Sequence, residues 1–252
     1  MPVESPDCMA ADPAYDVVIV GGGIAGRTAA IYTARHGFDT LVCDTGASIV
    51  RRNAHLENFP GFAAGVNARH LLDILRDQLD RAGAALASER VTDISADQET
   101  FLVATAAGST YRSQYVIAAT KNAVDYLEPL EEVTLVERGS TFVECDARGR
   151  TAVDGVYAAG RLAGKPHQAI ICAGHGAEVA VTLLEDDERP FYHDWVVPAG
   201  YFTDRDRPLP PGCEEIDDTE RAARERETLS YMQAQFDTPH PDAQETHPSL
   251  TD

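Results

Sequence analysis

Lysine is almost absent from this sequence. Among 252 residues the lysines are Lys121 and Lys165, and 41 acidic residues outnumber 21 basic ones, for a formal net charge of −20. A surface this acidic repels phosphate backbones and disfavours nucleic acid as a partner. An acidic composition that prefers arginine to lysine is typical of the solvated surface of halophilic proteins. An acidic face that binds a basic partner is the alternative.

Long apolar runs are also missing. The longest are of strand length, so the sequence predicts no membrane-spanning segment. The N-terminal residues carry Glu4, Asp7 and Asp12 instead of the basic and then apolar regions of a signal peptide. We interpret residues 1–14 as a disordered leader and expect a cytoplasmic protein.

Closely spaced cysteines are the third absence. The five cysteines (Cys8, Cys43, Cys145, Cys172 and Cys213) form no CxxC pair, so the sequence predicts neither a zinc knuckle nor a thioredoxin-type dithiol. We expect free thiols and no metal site.

The first readable unit is a βαβ motif. Residues 16–20 are mainly β-branched and apolar, as in a buried parallel strand. Residues 21–26 form a glycine-rich turn, and residues 25–36 read as a helix whose alanines allow close packing on a sheet. Residues 40–44 form a second strand.

Further strands and helices alternate along the chain, which predicts an α/β fold with a mainly parallel central sheet. The predicted helices span residues 69–82 and 168–184. The predicted strands span residues 91–94, 101–105, 110–119 and 156–159. We expect one discontinuous domain from residues 15–120 and 140–189, joined by a connector at residues 121–139. An extension with a helix follows at residues 190–236, and then a disordered tail at residues 237–252.

The turn after the first strand satisfies GxGxxG. Gly21 allows the tight turn, Gly23 lets a pyrophosphate approach the backbone, and Gly26 allows helix and strand to pack. The helix N-terminus supplies N–H donors for phosphates, and Asp44 accepts hydrogen bonds from ribose hydroxyls. The motif predicts a dinucleotide but does not choose between FAD and NAD.

Two further segments resemble low-molecular-weight thioredoxin reductases. Residues 56–61, LENFPG, are similar to their ENFPGF segment, and residues 116–120, VIAAT, resemble their IIATG strand. The run from Gly149 to Ala177, containing GVYAAGR and HQAIICAGHGA, is similar to their C-terminal flavin segment. The resemblance implies a Rossmann-like, three-layer (β/β/α) FAD-binding domain, an FAD cofactor and a homodimer.

The resemblance also implies roles for individual residues. The glycines, with Ile24 and Ala25, and Asp44 hold the ADP portion, and Val91 pairs its backbone with the adenine. Asn58 lies near the isoalloxazine ring, and Gln168 and Ala169 begin a helix directed at the flavin N1 and O2 edge. The remaining implied cofactor contacts are Ala119, Thr120, Gly160, Arg161 and His167.

The sequence departs from the family in three places. Family members insert an NADPH-binding domain, which carries their redox-active cysteine pair, between the two flavin segments; the connector here is far shorter than the ~100 residues that such a domain needs. Arg161 replaces the aspartate of AAGD, and Lys121 replaces the glycine of IATG. We hypothesise that one or both cations pair with the FAD pyrophosphate; an Arg161 directed at solvent is the alternative.

Catalytic groups are not evident. Cys172 is a weak candidate for a redox thiol, against inert packing, and His167 is a weak candidate for a proton donor, against a surface or capping histidine. His167 and His175 flank Cys172, but no carboxylate or thiol spacing completes a metal site with them.

The extension concentrates aromatic residues between prolines, and Asp217 and Asp218 cap a predicted helix with Leu229, Met232 and Phe236 on one face. We hypothesise that it covers the flavin surface or a dimer partner.

Three functions fit the sequence. The first is an FAD-dependent oxidoreductase whose electron donor and acceptor are a redox protein or a small molecule. The second is a non-catalytic FAD- or ADP-binding subunit. The third is an enzyme that binds a nicotinamide cofactor transiently over the flavin.

Overall fold

The computed structural model describes residues 14–250, so the predicted leader lies almost wholly outside the described residues. The helices are α1 (Ile24–Arg35), α2 (Ala68–Ala82), α3 (Ala169–Asp186) and α4 (Asp218–Gln235). The strands are β1 (Ala14–Val20), β2 (Thr40–Cys43), β3 (Ala85–Ala87), β4 (Val91–Asp97), β5 (Thr100–Thr105), β6 (Thr110–Ala118), β7 (Leu135–Glu137), β8 (Thr141–Val143), β9 (Val156–Ala158), β10 (Trp195–Pro198) and β11 (Cys213–Ile216).

The predicted mainly parallel central sheet is confirmed. Its order is β3-β2-β1-β6, and β9 pairs with β6. All of these pairings are parallel. The nine-residue β6 also pairs antiparallel with β5 through its first half, and β5 pairs antiparallel with β4. The strand β6 therefore belongs both to the central sheet and to a three-stranded meander.

Two apolar cores lie on opposite faces of the central sheet, because side chains alternate along a strand. Val18 and Val20 pack with Ile94 and Val103 of the meander. Val17 and Ile19 pack with residues of α1, α2 and α3. The resulting layers are meander, central sheet and helices, which confirms the expected β/β/α architecture.

The predicted connector, residues 121–139, leads into a compact hairpin whose second strand, β8, lies just beyond it. After a 3-10 turn at Asp125–Leu127, β7 pairs antiparallel with β8. The N–H of Arg138 donates to the carbonyl of Ser140 across 2.9 Å at the turn. Tyr126, Leu127 and Leu130 are buried in the core. The two halves of the domain are therefore joined by a short, packed segment.

The extension lies against α1 and α2. β10 and β11 form a parallel pair, and Asp194 accepts a 2.6 Å hydrogen bond from Nε of Arg35 at the end of α1. The hydroxyl of Tyr231 in α4 donates to Asp77 in α2 across 2.6 Å. Leu229, which we expected on the apolar face of α4, is 62% exposed, because α4 packs through polar contacts.

Polar side-chain contacts anchor the segment predicted as a disordered tail. His240 lies 2.9 Å from Asp73 in α2, and Arg51 donates to Glu245 across 2.5 Å. Among residues 14–250, no helix combines the length and the apolar composition needed to cross a membrane.

Candidate functional site

The site lies at the carboxyl edge of the central sheet. Strand register aligns Val20 with Cys43 and Ala118, and aligns Ala118 with Ala158. The residues that follow these strand ends are therefore neighbours, and they are the predicted cofactor contacts Gly21, Asp44, Ala119 and Gly160. In open α/β sheets, ligands bind outside this edge.

The glycine loop is shaped by close backbone contacts. Gly21 has φ +108°, and a β-carbon on it would lie 2.7 Å from the Ala119 carbonyl oxygen. A β-carbon on Gly26 would lie 1.9 Å from the Gly21 carbonyl oxygen. Both positions therefore require glycine for the turn and its packing.

Gly23 has a different environment. Its φ is −75°, which any residue adopts, and a β-carbon there would meet only the Ser48 hydroxyl at 3.6 Å. The described packing does not require glycine at this position, whereas a phosphate approaching the backbone does. The loop therefore fits the pyrophosphate of a dinucleotide.

The N-termini of α1 and α3 offer unsatisfied backbone donors. Neither Gly23, which precedes α1, nor Gln168, which precedes α3, provides a side-chain cap, and neither helix has an acidic residue in its first turn. The first N–H groups of a helix carry partial positive charge and bind anions. Ile24, Ala25 and Ala169 contribute these first turns.

The two helices approach closely beside the glycine loop. A β-carbon on Gly176 would lie 2.2 Å from the Ala25 carbonyl oxygen, and one on Gly160 would lie 2.7 Å from the Ala25 β-carbon. The first turn of α1 is therefore held against α3 and the Gly160 turn.

Asp44 is buried and held by Arg27, which sequence reasoning missed. Oδ2 of Asp44 lies 3.2 Å from an Arg27 terminal nitrogen, and Oδ1 accepts a 3.0 Å hydrogen bond from the Gly46 N–H. Both residues border a polar pocket of about 140 Å³ beyond the end of β2. Its other lining residues are Gly46, Ser48, Arg51, Leu72, Asp73, Arg76, Leu86 and Ser88.

At the opposite end of the edge, Asn58 and Gln168 meet. The side-chain amide of Asn58 donates to Oε1 of Gln168 across 2.9 Å. This contact brings the LENFPG segment to the start of α3, the place that the resemblance implies for the isoalloxazine ring.

The other predicted contacts lie in two places, the meander and the turn after β6. Val91 is buried at the start of β4, opposite Thr105. The N–H of Ala119 donates to the Val20 carbonyl, and the hydroxyl of Thr120 donates to the Ala123 carbonyl across 2.6 Å. Hydrogen bonds thus fix the turn after β6 beside the glycine loop.

Lys121 and Arg161 lie just after the ends of the neighbouring strands β6 and β9. Lys121 has φ +69°, a left-handed conformation that costs a lysine free energy and favours glycine. The Arg161 guanidinium carbon lies 5.0 Å from the Phe142 ring centre. Partial desolvation of its ring, followed by the charges of Arg161 and Lys121, lowers the pKa of His167, whose side chain remains largely exposed.

Cys172 faces the Gly160 turn. Its sulfur lies 3.8 Å from the Pro166 carbonyl oxygen, and burial raises the pKa of its thiol. The thiol is therefore protonated at neutral pH, which makes it a poor nucleophile.

His175 supports the same turn from inside the protein. Its ring is buried, and Nδ1 accepts a 2.9 Å hydrogen bond from the Gly160 N–H. Burial, and next the charge of Lys165, lower the pKa of His175 to about 4 from its usual 6.5.

The free energy of unfolding should therefore decrease as the pH is lowered from 6.5 to about 4. In that range the unfolded chain binds a proton at His175 and the folded chain does not. Melting temperatures of the wild type and of His175→Gln, measured at pH 7 and pH 4.5, test this. The wild type should lose more stability than the variant on acidification. His247→Gln, at an exposed histidine, should behave as the wild type, and parallel losses in all three proteins would contradict the assignment.

Comparison with known proteins matches the N-terminal half of the predicted domain. Residues 15–120 match the pyridine nucleotide-disulphide oxidoreductase family. The bifunctional thioredoxin reductase/thioredoxin of Mycobacterium leprae is 38% identical over 136 residues, covering 52% of this chain and 30% of that protein. This chain thus spans less than half the length of that relative.

Solved structures share the fold at low identity. A thioredoxin reductase from Gloeobacter violaceus matches with a TM-score of 0.60 and 18% identity, covering 72% of this chain and 98% of its own. A ferredoxin-flavin thioredoxin reductase from Clostridium acetobutylicum matches with a TM-score of 0.56 and 17% identity, covering 69% and 98%.

The sheet order and the glycine loop agree with the match of residues 15–120 to the pyridine nucleotide-disulphide oxidoreductase family, whose members are FAD-binding flavoproteins. Over about half of its length the chain is similar to thioredoxin reductases.

Proposed function

We propose that this chain is an FAD-dependent oxidoreductase whose electrons come from a separate donor. The observation that carries the proposal is the hairpin of β7 and β8, which joins the two halves of the domain by the Arg138–Ser140 turn. In the thioredoxin reductases that this chain resembles, an NADPH-binding domain is inserted between these halves.

The chain's own residues divide the binding of FAD among them. The backbone of the glycine loop and the first turn of α1 hold the pyrophosphate, and Asp44 holds the adenosine ribose. The start of α3 directs positive charge at the isoalloxazine edge, where Asn58 and Gln168 meet. FAD supplies the redox chemistry when bound, while the protein positions it and tunes its potential.

The electron donor and acceptor belong to the same proposal. The ferredoxin-flavin thioredoxin reductase of Clostridium acetobutylicum, by its name, pairs a flavin with a protein donor on this fold. We propose that this chain likewise exchanges electrons with a redox protein or a small molecule. We further propose that it works as a cytoplasmic homodimer and that its acidic surface is an adaptation to salt.

The second candidate function is a non-catalytic FAD- or ADP-binding subunit. The observation that favours it is the half-buried Cys172, whose thiol pKa is raised by its burial beside the Gly160 turn, because a protonated thiol does not assist electron transfer. His167 is exposed beside the start of α3 and remains the candidate proton donor in the catalytic proposal.

The test is an anaerobic absorbance spectrum of the purified protein, recorded before and after addition of NADH, NADPH and dithionite. We expect flavin bands that dithionite bleaches and nicotinamides do not. Rapid bleaching by a nicotinamide would overturn the separate donor. A flavin that dithionite cannot reduce would favour the non-catalytic subunit, and a protein that takes up no FAD would overturn the cofactor.

A further inference from the structure

Arg27 is a buried arginine in the first turn of the nucleotide-binding helix. It is 9% exposed, although the other buried residues of α1 are uncharged and mostly apolar. A buried guanidinium is retained only where its N–H groups find partners, because desolvating the charge is costly.

Three partners on three different elements meet this requirement. Nε of Arg27 donates to the Gly22 carbonyl across 2.7 Å. One terminal nitrogen donates to the Leu72 carbonyl within α2, and the other contacts Asp44 at the end of β2. The planar guanidinium thus fixes the glycine loop, α2 and Asp44 relative to one another.

Gly22 completes the arrangement. A β-carbon on Gly22 would lie 2.3 Å from Oδ2 of Asp44 and 2.3 Å from its carboxyl carbon. The carboxylate therefore rests directly on the bare backbone of the loop. Contacts with Arg27, Gly22 and Gly46 together set its position and its orientation.

The held carboxylate still has acceptor capacity. Each carboxylate oxygen has two lone pairs, and each oxygen of Asp44 accepts one protein hydrogen bond. Asp44 and Arg27 both border the pocket beyond β2, where Ser48 and Ser88 are further lining residues. The remaining lone pairs are available to hydroxyl groups in that pocket.

We infer that Arg27 is a positioning residue that holds Asp44 ready to accept hydrogen bonds from the ribose hydroxyls of an adenosine nucleotide. The inference rests on the proposed dinucleotide site. In it Asp44 binds the ribose, and Arg27 contacts Asp44 without contacting the ribose or the flavin.

The probes are ADP and 2′,3′-dideoxy-ADP, whose binding to the apoprotein is measured by calorimetry. The wild type should prefer ADP by at least about tenfold, the value of one or two hydrogen bonds to a charged acceptor. Arg27→Met should lower the affinity for ADP to that for 2′,3′-dideoxy-ADP, and it should leave the binding of 2′,3′-dideoxy-ADP nearly unchanged because that probe has no ribose hydroxyl for Asp44 to accept from. A purely structural role predicts equal losses for both probes, and that result would overturn the inference.

Two variants keep the test decisive if Arg27→Met fails to fold. Gly22→Ala leaves the Arg27 side chain intact but displaces the carboxylate, and it should also abolish the preference for ADP. Asp44→Asn keeps the side-chain shape and should do the same. A preference that survives both substitutions would overturn the inference. Because neither probe contains flavin, a wild type that distinguishes the probes but binds no FAD would instead overturn the proposed function.

Discussion

Replacing Gly176 with alanine is expected to lower the melting temperature by roughly 6–12 °C, the shift that corresponds to about 3 kcal/mol in a protein of this size. The added β-carbon would lie 2.2 Å from the Ala25 carbonyl oxygen, 2.9 Å from the Ala25 carbonyl carbon and 3.0 Å from its α-carbon. All three are backbone atoms, so no side chain can rotate to relieve the clash. The helices α1 and α3 must separate.

The same displacement should weaken FAD binding. Ala25 belongs to the first turn of α1, which carries the glycine loop, so moving it changes the direction of the phosphate-binding N–H groups. We expect a loss of FAD affinity of at least tenfold, because pyrophosphate recognition depends on the geometry of these donors. Fluorescence titration of the apoprotein with FAD measures this loss.

The matched control lies two residues earlier on α3. A β-carbon on Gly174 would meet no atom within 4 Å, so Gly174→Ala should raise the free energy of unfolding by about 0.5–1 kcal/mol through helix propensity. Opposite signs for the two glycines would establish close helix packing as the cause. If Gly176→Ala melted at the wild-type temperature, the described approach of α1 and α3 would be contradicted.

The packing that these glycines serve was only partly predictable. The parallel strands could be predicted, because a short β-branched run bounded by glycine, as at residues 16–20, is typical of a buried strand. The strands β3, β7 and β8 could not be predicted, because three residues are too few to show a periodicity. The equally short β9 was predicted because its apolar run continues through Ala159 and is bounded by Gly155 and Gly160. The tail contact of Arg51 with Glu245 joins residues 194 positions apart, and no local pattern indicates such a pair.

The candidate site could also be predicted only in part. Gly21, Gly26 and Asp44 follow from a motif whose spacing reflects backbone geometry. Arg27 was missed because a charged residue on a helix normally faces solvent, and its partners Asp44 and Leu72 come from distant segments. The signal available in the sequence was its place directly after Gly26, where the helix packs on the sheet.

Replacing Arg161 with aspartate, the residue found in the family, is expected to weaken FAD binding by roughly 100-fold. Arg161 follows β9, and the glycine loop follows β1. The single strand β6 lies between β9 and β1 in the sheet. If Arg161 pairs with the pyrophosphate, reversing its charge replaces attraction by repulsion. At an effective dielectric constant near 20, one pair of unit charges about 5–6 Å apart is worth about 3 kcal/mol, so the lost attraction alone accounts for a roughly 100-fold change.

Two controls test whether the loss of FAD affinity in Arg161→Asp is electrostatic: a charge reversal at a remote position and a measurement at high salt. Arg226→Asp makes the same change of charge at an exposed position on α4, and it should leave FAD affinity within about twofold of the wild type. The deficit of Arg161→Asp should also shrink at 1 M salt, where screening acts within about 3 Å. Unchanged or tighter FAD binding by Arg161→Asp would show that Arg161 does not contact the phosphates.

Lys121 allows the sharper test, because its charge and its backbone conformation predict opposite effects. Glycine at φ +69° relieves the strain of a left-handed lysine, so Lys121→Gly should stabilise the apoprotein by about 1 kcal/mol. Losing the cation should at the same time weaken FAD binding by about tenfold. Lys121→Arg, which keeps both the charge and the strain, should match the wild type in melting temperature and in FAD titration. A glycine variant that gains stability without losing affinity would remove Lys121 from the pyrophosphate site, and one that loses both would mean that the lysine side chain stabilises the turn itself.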